Sequence, residues 1–389
     1  MSFSTLPLSY CTNVHPARNV PDVVAGLQQY TAPVQSRLGR PVAAGLWLAA
    51  AVVRELEQEP ATLRNLQGEL QELGLVCYTL NAFPYGDFHS DRVKEQVYLP
   101  DWSTGERLDY TAACARILAE LLPDGTEGSL STVPLGFKGF QHGDDFESSC
   151  IGRLLELAEQ LDRLHDETGR VIRLAIEPEP CCILETTPET LRFFEHVWDA
   201  ASQTGRSEIA RRHLGVCYDV CHQSVEFEDV ADSIARLEAA RVRLNKIHIT
   251  CAIRLPRPSD SSEGREALAH YVEARYLHQT LARLPNGTIR SELDLTPEFC
   301  ASPPEEFATA DEWRTHFHVP VNAESIGPLL TTRNDLRRAL DAVRQLPYAP
   351  HLEVETYTWG VLPGTRQPSL VEGLTAELAA THELLAALG

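Results

Sequence analysis

Short apolar runs alternate with longer stretches of helical periodicity along the chain. The runs are Leu6–Cys11, Val42–Leu48, Leu75–Leu80, Ser129–Leu135, Val171–Ile176, one opening at Leu214, Val242–Ile249 and His351–Thr356. Their continuous apolar character suits strands buried on both faces. Between them, residues 21–38, 62–73, 109–122, 152–165, 227–241, 331–346 and 370–388 carry apolar residues at helical spacing. A further helix starts at Thr187-Pro188-Glu189, with a capping hydroxyl, a proline at the first position and an acid in the first turn. Gly39, Gly74 and Gly169 stand where helices should stop.

Strand and helix in strict alternation predict a parallel sheet with crossover helices. Eight such units predict a closed α/β (β/α)8 TIM barrel, taken here as one domain over residues 1–389. No GxGxxG follows the first strand, which argues against a dinucleotide-binding sheet. Residues 254–321 are too long for one connection. They read as an insertion after the seventh strand, covering the barrel mouth: a helix near Glu263–Leu284, an acidic loop over Glu292–Phe307, and the run Arg314–Val319.

The polar residues at the strand ends carry the chemistry. Glu177, Asp219, His248 and Glu355 each close an apolar run, on the fifth to eighth strands. In a closed barrel these ends face one cavity, so the four would meet there. Three carboxylates together raise one another's pKa unless a cation joins them. Oxygen and imidazole donors suit Mn²⁺, Zn²⁺, Co²⁺, Fe²⁺ or Mg²⁺. Glu179 and Glu353 compete for the same places, and any one acid alone reads as a helix cap. His222, His316 and His318 form a second set, as another metal site, as substrate hydrogen-bonding groups or as histidines of a lid. His15, Asn81, Tyr85 and Trp359 are taken as lining the substrate pocket.

Composition narrows the partners. A net charge of −21 repels phosphate backbones and anionic membranes, so neither nucleic acid nor membrane insertion is expected. Ten cysteines lie mainly in apolar runs, and no basic and apolar leader precedes Leu6, so reduced thiols in the cytoplasm are expected. The expected partner is a small-molecule substrate, with a homodimer as a compatible assembly.

Ile176-Glu177-Pro178, Cys217-Tyr218-Asp219-Val220-Cys221-His222, Lys246-Ile247-His248 and Val354-Glu355-Thr356 together resemble the xylose-isomerase-like TIM barrels. Those include sugar and sugar-phosphate isomerases and epimerases and the endonuclease IV type. Leu8-Ser9-Tyr10-Cys11-Thr12-Asn13-Val14-His15-Pro16 and Thr79-Leu80-Asn81-Ala82-Phe83-Pro84-Tyr85-Gly86 resemble, more narrowly, the EboE-type metabolite traffic proteins of bacterial secondary-metabolism clusters. The resemblance implies metal ligation by Glu177, Asp219, His248 and Glu355, with Glu177 and Glu355 also moving the proton. An endonuclease IV pattern would place a further metal at His222, His316 and His318. Its extra histidines are missing, since Asn81 and Thr132-Val133-Pro134-Leu135 stand in those places. The leading expectation is a metal-dependent isomerase or epimerase of a small polyhydroxylated compound or secondary-metabolite precursor. Its alternatives are a two-metal phosphoester hydrolase and a non-catalytic precursor-binding component.

Overall fold

A computed structural model describes residues 3–364 and 368–389. Strands β1 (Ser9–Cys11), β2 (Ala43–Trp47), β3 (Thr79–Asn81), β4 (Gly128–Thr132), β5 (Ile172–Ile176), β6 (Leu214–Asp219) and β7 (Leu244–Ile249) follow one another round a wall. The chain then builds a second sheet from β8 (Ile253–Pro256), β9 (Thr280–Arg283), β10 (Ile289–Glu292), β11 (Glu312–Thr315), β12 (Ser325–Ile326) and β13 (Leu329–Thr331). It returns to the wall as β14 (His351–Val354), and pairing of β14 with both β7 and β1 closes an eight-stranded parallel barrel. The fold is a (β/α)8 TIM barrel, with helices such as Phe146–Thr168 and Thr187–Gln203 packed outside.

The barrel interior is unusually polar below the mouth. Lys246 from β7 and Glu353 from β14 form a fully buried ion pair, and Lys246 Nζ also reaches Ser131 Oγ at 3.2 Å. Glu353 takes a further hydrogen bond from Ser9 Oγ at 3.2 Å. Room for this carboxylate comes from Gly45 on β2. A Cβ there would lie 1.5 Å from Glu353 Oε1.

The second sheet has the order β10-β9-β11-β8-β13-β12 and is antiparallel throughout. It starts at Ile253 and ends at Thr331, reaching beyond residue 321. The helix expected near Glu263–Leu284 is only Ser262–Ala269, and Thr280–Arg283 is strand β9 instead. Asn286-Gly287 explains the difference. Gly287 sits at φ +83° in the tight loop joining β9 to β10, and an Asn-Gly turn favours a hairpin over a continuing helix. The helix read over 21–38 is Val20–Gly26 and Ala32–Leu38 joined by a π-helical turn at Leu27–Thr31, and Gly39 ends it at φ +66°. All ten cysteines are free thiols.

Candidate metal centre

Register sets the geometry of the site. His248 lies opposite Asp219 on β6 and opposite Glu353 on β14, so the three share one row of the barrel. Glu355 stands two residues beyond Glu353, and Glu177 one beyond the end of β5, so both reach the next layer towards the mouth. The imidazole of His248 therefore has two different neighbours. Its Nδ1 faces Glu177 Oε1 at 2.9 Å, Glu355 Oε2 at 3.0 Å and Asp219 Oδ2 at 3.5 Å. Its Nε2 faces Glu353 Oε2 at 3.2 Å. Glu353 thus lies beneath the imidazole, on the side away from the other three acids.

One donor atom from each of Glu177, Asp219, His248 and Glu355 lies within 4.8 Å of the others, and all four residues are buried. Asp219 does two things at once. Its Oδ1 caps the short helix Val220–Val225 by accepting the His222 N–H at 3.1 Å, and takes Thr250 Oγ1 at 2.6 Å. Its Oδ2 and Glu177 Oε2 are buried and have no hydrogen-bond partner. Buried carboxylate oxygens without partners are costly, and a divalent ion among them would remove that cost. The donor set fits such an ion: three carboxylates and one imidazole, the mixture that oxygen-preferring and borderline metals accept.

Asn13, in the 3-10 turn after β1, donates to Glu355 Oε1 at 2.8 Å, and Asn81 at the end of β3 donates to the same atom at 2.9 Å. Electrostatics separate the carboxylates. Burial raises Glu177 to about 7, with Glu355 and Asp219 adding to the rise against the opposing effect of His248. Burial would raise Glu355 as well, but the charge and hydrogen bond of His248 outweigh it and hold the group near 2. Burial would raise Asp219 too, but the surrounding imidazoles of His222, His318 and His248 outweigh it and hold the group well below the usual range.

The second histidine set also converges. His222 Nδ1 bonds the Pro178 carbonyl at 3.0 Å, His318 Nδ1 the Glu355 carbonyl at 2.7 Å, and His316 Nδ1 the Gln279 side-chain oxygen at 2.9 Å. Each Nδ1 must donate, so each Nε2 is left with a lone pair. Two of these, on His316 and His318, are 3.3 Å apart, and the Nε2 atoms of His222 and His318 lie 3.9 and 4.0 Å from Asp219 Oδ2. Burial lowers His222 to about 4 and drives His316 well below its usual value, so both are neutral at pH 7.

The cavity above the cluster is lined by Glu177, Glu355, His222, His316 and His318, with Asn13, Asn81, Glu179, Gln279 and a set of aromatic and aliphatic side chains. Of the pocket residues expected from sequence, Asn81 is in place. The other three are elsewhere. His15 packs between Tyr10 and Tyr30, with its Nε2 3.3 Å from Tyr10 Oη. Tyr85 donates to Glu106 near the surface, and Trp359 Nε1 donates to Glu377 of the last helix. Each of the three is drawn away by a partner outside the cavity. Asn13, Gln279 and Tyr98, which lines the cavity and donates to Glu179 Oε1 at 2.7 Å, were not foreseen. Asn13 stood beside His15 in the loop already singled out, which was the one available signal.

No family model matches the chain, and no curated protein matches its sequence. Solved structures do match in fold. An L-ribulose 3-epimerase superposes at TM-score 0.53 over all of this chain and 96% of its own, at 11% identity. The two chains share the barrel fold. A xylose-isomerase-like TIM barrel protein from Mycobacterium smegmatis, in complex with magnesium, matches at TM-score 0.48 and 14% identity over 100% of this chain and 98% of that one. The IOLI protein with a bound zinc atom matches at TM-score 0.48 and 12% identity, covering 99% of each chain. Sequence identity this low speaks for architecture alone, so the chemistry rests on the residues above.

Proposed function

We propose that the protein is a metal-dependent isomerase or epimerase acting on a small carbonyl compound that bears a neighbouring hydroxyl. One observation carries this reading: Glu177, Asp219, His248 and Glu355 gather their donor atoms within 4.8 Å at the floor of the cavity. A divalent ion bound there would polarise the carbonyl and favour loss of a proton from the adjacent carbon. Glu177 and Glu355 reach the cluster from β5 and from the end of β14, with β6 and β7 between them. A carbon held between the two can lose its proton to one carboxylate and regain one from the other. Asn13 and Asn81 fix Glu355 by one oxygen, which leaves the other to face the reacting centre. The second sheet brings His316, His318, Gln279 and Tyr276 to the cavity, and in this reading it covers the mouth and excludes water. Glu177→Gln is expected to abolish metal-dependent proton exchange while the chain stays folded. Unchanged exchange would remove Glu177 from its role.

The converging lone pairs of His222, His316 and His318 favour a second reading, a two-metal phosphoester hydrolase with Asp219 shared between ions. Metal content of the purified chain decides between them. One ion per chain supports the isomerase, two the hydrolase, and none after reconstitution a precursor-binding component. The resemblance of Leu8–Pro16 and Thr79–Gly86 to metabolite traffic proteins supports a secondary-metabolite precursor as substrate. The free, mostly buried thiols support a cytoplasmic setting.

A further inference from the structure

The cavity is built from two unlike halves. Its floor is polar, with Glu177, Glu355, Asn13, Asn81 and the histidines. Its outer wall is Phe83, Phe88, Val93, Val97, Tyr276 and Leu277. These come from the loop after β3 and from the segment leading into β9, so the barrel and the insertion jointly supply an apolar sleeve. Phe88, Tyr276 and Tyr357 form its tightest part, with ring centroids 4.9 to 5.3 Å apart in tilted or edge contacts. Phe88 and Tyr276 each keep 7% exposure and Leu277 keeps 9%, whereas barrel-core residues such as Leu46 and Leu174 keep none.

Charge in the cavity is equally one-sided. Among the described residues lining it, Lys94 is the one lysine or arginine. Its ammonium is already spent on Asp294 at 2.7 Å and on the carbonyls of Tyr276 and Glu273 at 2.6 and 3.2 Å. Glu177, Glu179 and Glu355 face the same space. A phosphate or carboxylate group on the tail would meet carboxylates with no free lysine or arginine to receive it. A free sugar would lay hydroxyls against rings that offer few partners.

We propose that the substrate is a neutral, amphipathic α-hydroxycarbonyl compound, its oxygen-bearing head at the Glu177–Asp219–His248–Glu355 cluster and its apolar tail among Phe83, Phe88, Val93, Val97, Tyr276 and Leu277. This rests on the isomerase reading and narrows it. The reaction is redox-neutral: one proton leaves the carbon that bears the hydroxyl. In epimerisation a proton returns to the opposite face of that carbon; in isomerisation it returns to the former carbonyl carbon while the hydroxyl proton passes to the former carbonyl oxygen. No co-reactant is needed.

The test uses the full chain loaded with Mg²⁺ and the series 1-hydroxybutan-2-one to 1-hydroxyoctan-2-one. Calorimetry gives affinity, and mass spectrometry in D₂O gives deuterium uptake at the hydroxymethyl carbon. Affinity is expected to tighten roughly fourfold per added methylene until the sleeve is full. Dihydroxyacetone phosphate should bind more weakly than dihydroxyacetone. A Leu277→Ser chain should lose roughly tenfold for the longest member, with its bound metal unchanged. An affinity flat with tail length, preference for the phosphate, or no binding by any member overturns the inference. Exchange without tail dependence leaves the isomerase reading standing and removes this one. Tail-dependent binding without exchange overturns the isomerase reading, and with it the reaction proposed here, and leaves only an amphipathic ligand in the cavity.

Discussion

At the scale of single residues, Glu353 and Lys246 explain how one histidine serves a cluster of acids. Glu353 accepts from His248 Nε2, so loss of the Nδ1 proton to a bound ion would leave the Nδ1 lone pair on the mouth side where Glu177, Glu355 and Asp219 converge. Partners of this kind fix the tautomer and ring orientation of metal-binding histidines. A Glu353→Gln chain is expected to bind divalent metal about 10–100-fold more weakly in calorimetric titration. It also leaves Lys246 buried without a counter-charge, at a cost of about 3–5 kcal/mol in denaturant melts. Unchanged metal affinity would show that the pair beneath the site is scaffolding alone. His15 gives a pH prediction. Burial lowers its pKa to about 3, with the nearby His89 adding to the effect. The unfolded chain therefore takes up a proton near pH 6.5 that the folded chain refuses. The stability is present above that value and is lost as pH falls towards 3. Between pH 7 and 5 the wild type should lose about 2 kcal/mol more stability than His15→Asn. An equal loss in both chains would mean that His15 does not carry the term.

At the scale of elements, Gly45 ties strand β2 to the site. With a Cβ 1.5 Å from Glu353 Oε1, Gly45→Ala must displace that carboxylate and with it the contacts to Lys246 and His248. Both lower thermal stability and loss of bound metal are expected. An alanine chain that keeps wild-type metal affinity would contradict the packing described here. The elements also show where sequence stops being informative. All eight barrel strands were legible, because double-sided burial leaves an apolar run such as Leu174-Ala175-Ile176 with its acid at the end. Inside the second sheet the signal fails. Ala267, Leu268, Tyr271 and Val272 have helical spacing that extends past the true helix end at Ala269, while β9 is held by pairing with β10 and β11, far apart in sequence. Glu353 and Glu355 both followed the pattern of a ligand. Only the barrel's layering separates them, since side chains two apart on one strand share a face but not a height.

At the scale of the molecule, the barrel and the second sheet make one cavity between them. Its floor comes from strand ends and the turns after them, spread from Asn13 to Glu355, and its cover from the loop after β3 and the segment between β7 and β14. Histidines His222, His316 and His318 were visible as residues, but their convergence with Asp219 depended on where that segment folds. Among the described residues no helix is long and apolar enough to cross a membrane. Metal should act on the whole fold. An ion that binds the folded chain alone adds about 2.7 kcal/mol at a hundred times its Kd, so chelation is expected to lower the melting temperature and Mn²⁺ to restore it. A melting temperature indifferent to both would leave the buried carboxylates unexplained.

The most direct measurement is anomalous diffraction from crystals of the full chain soaked in Mn²⁺. A peak bonded to oxygens of Glu177, Asp219 and Glu355 and to Nδ1 of His248 is expected. A map with no peak there, or with manganese only at the surface, would contradict it.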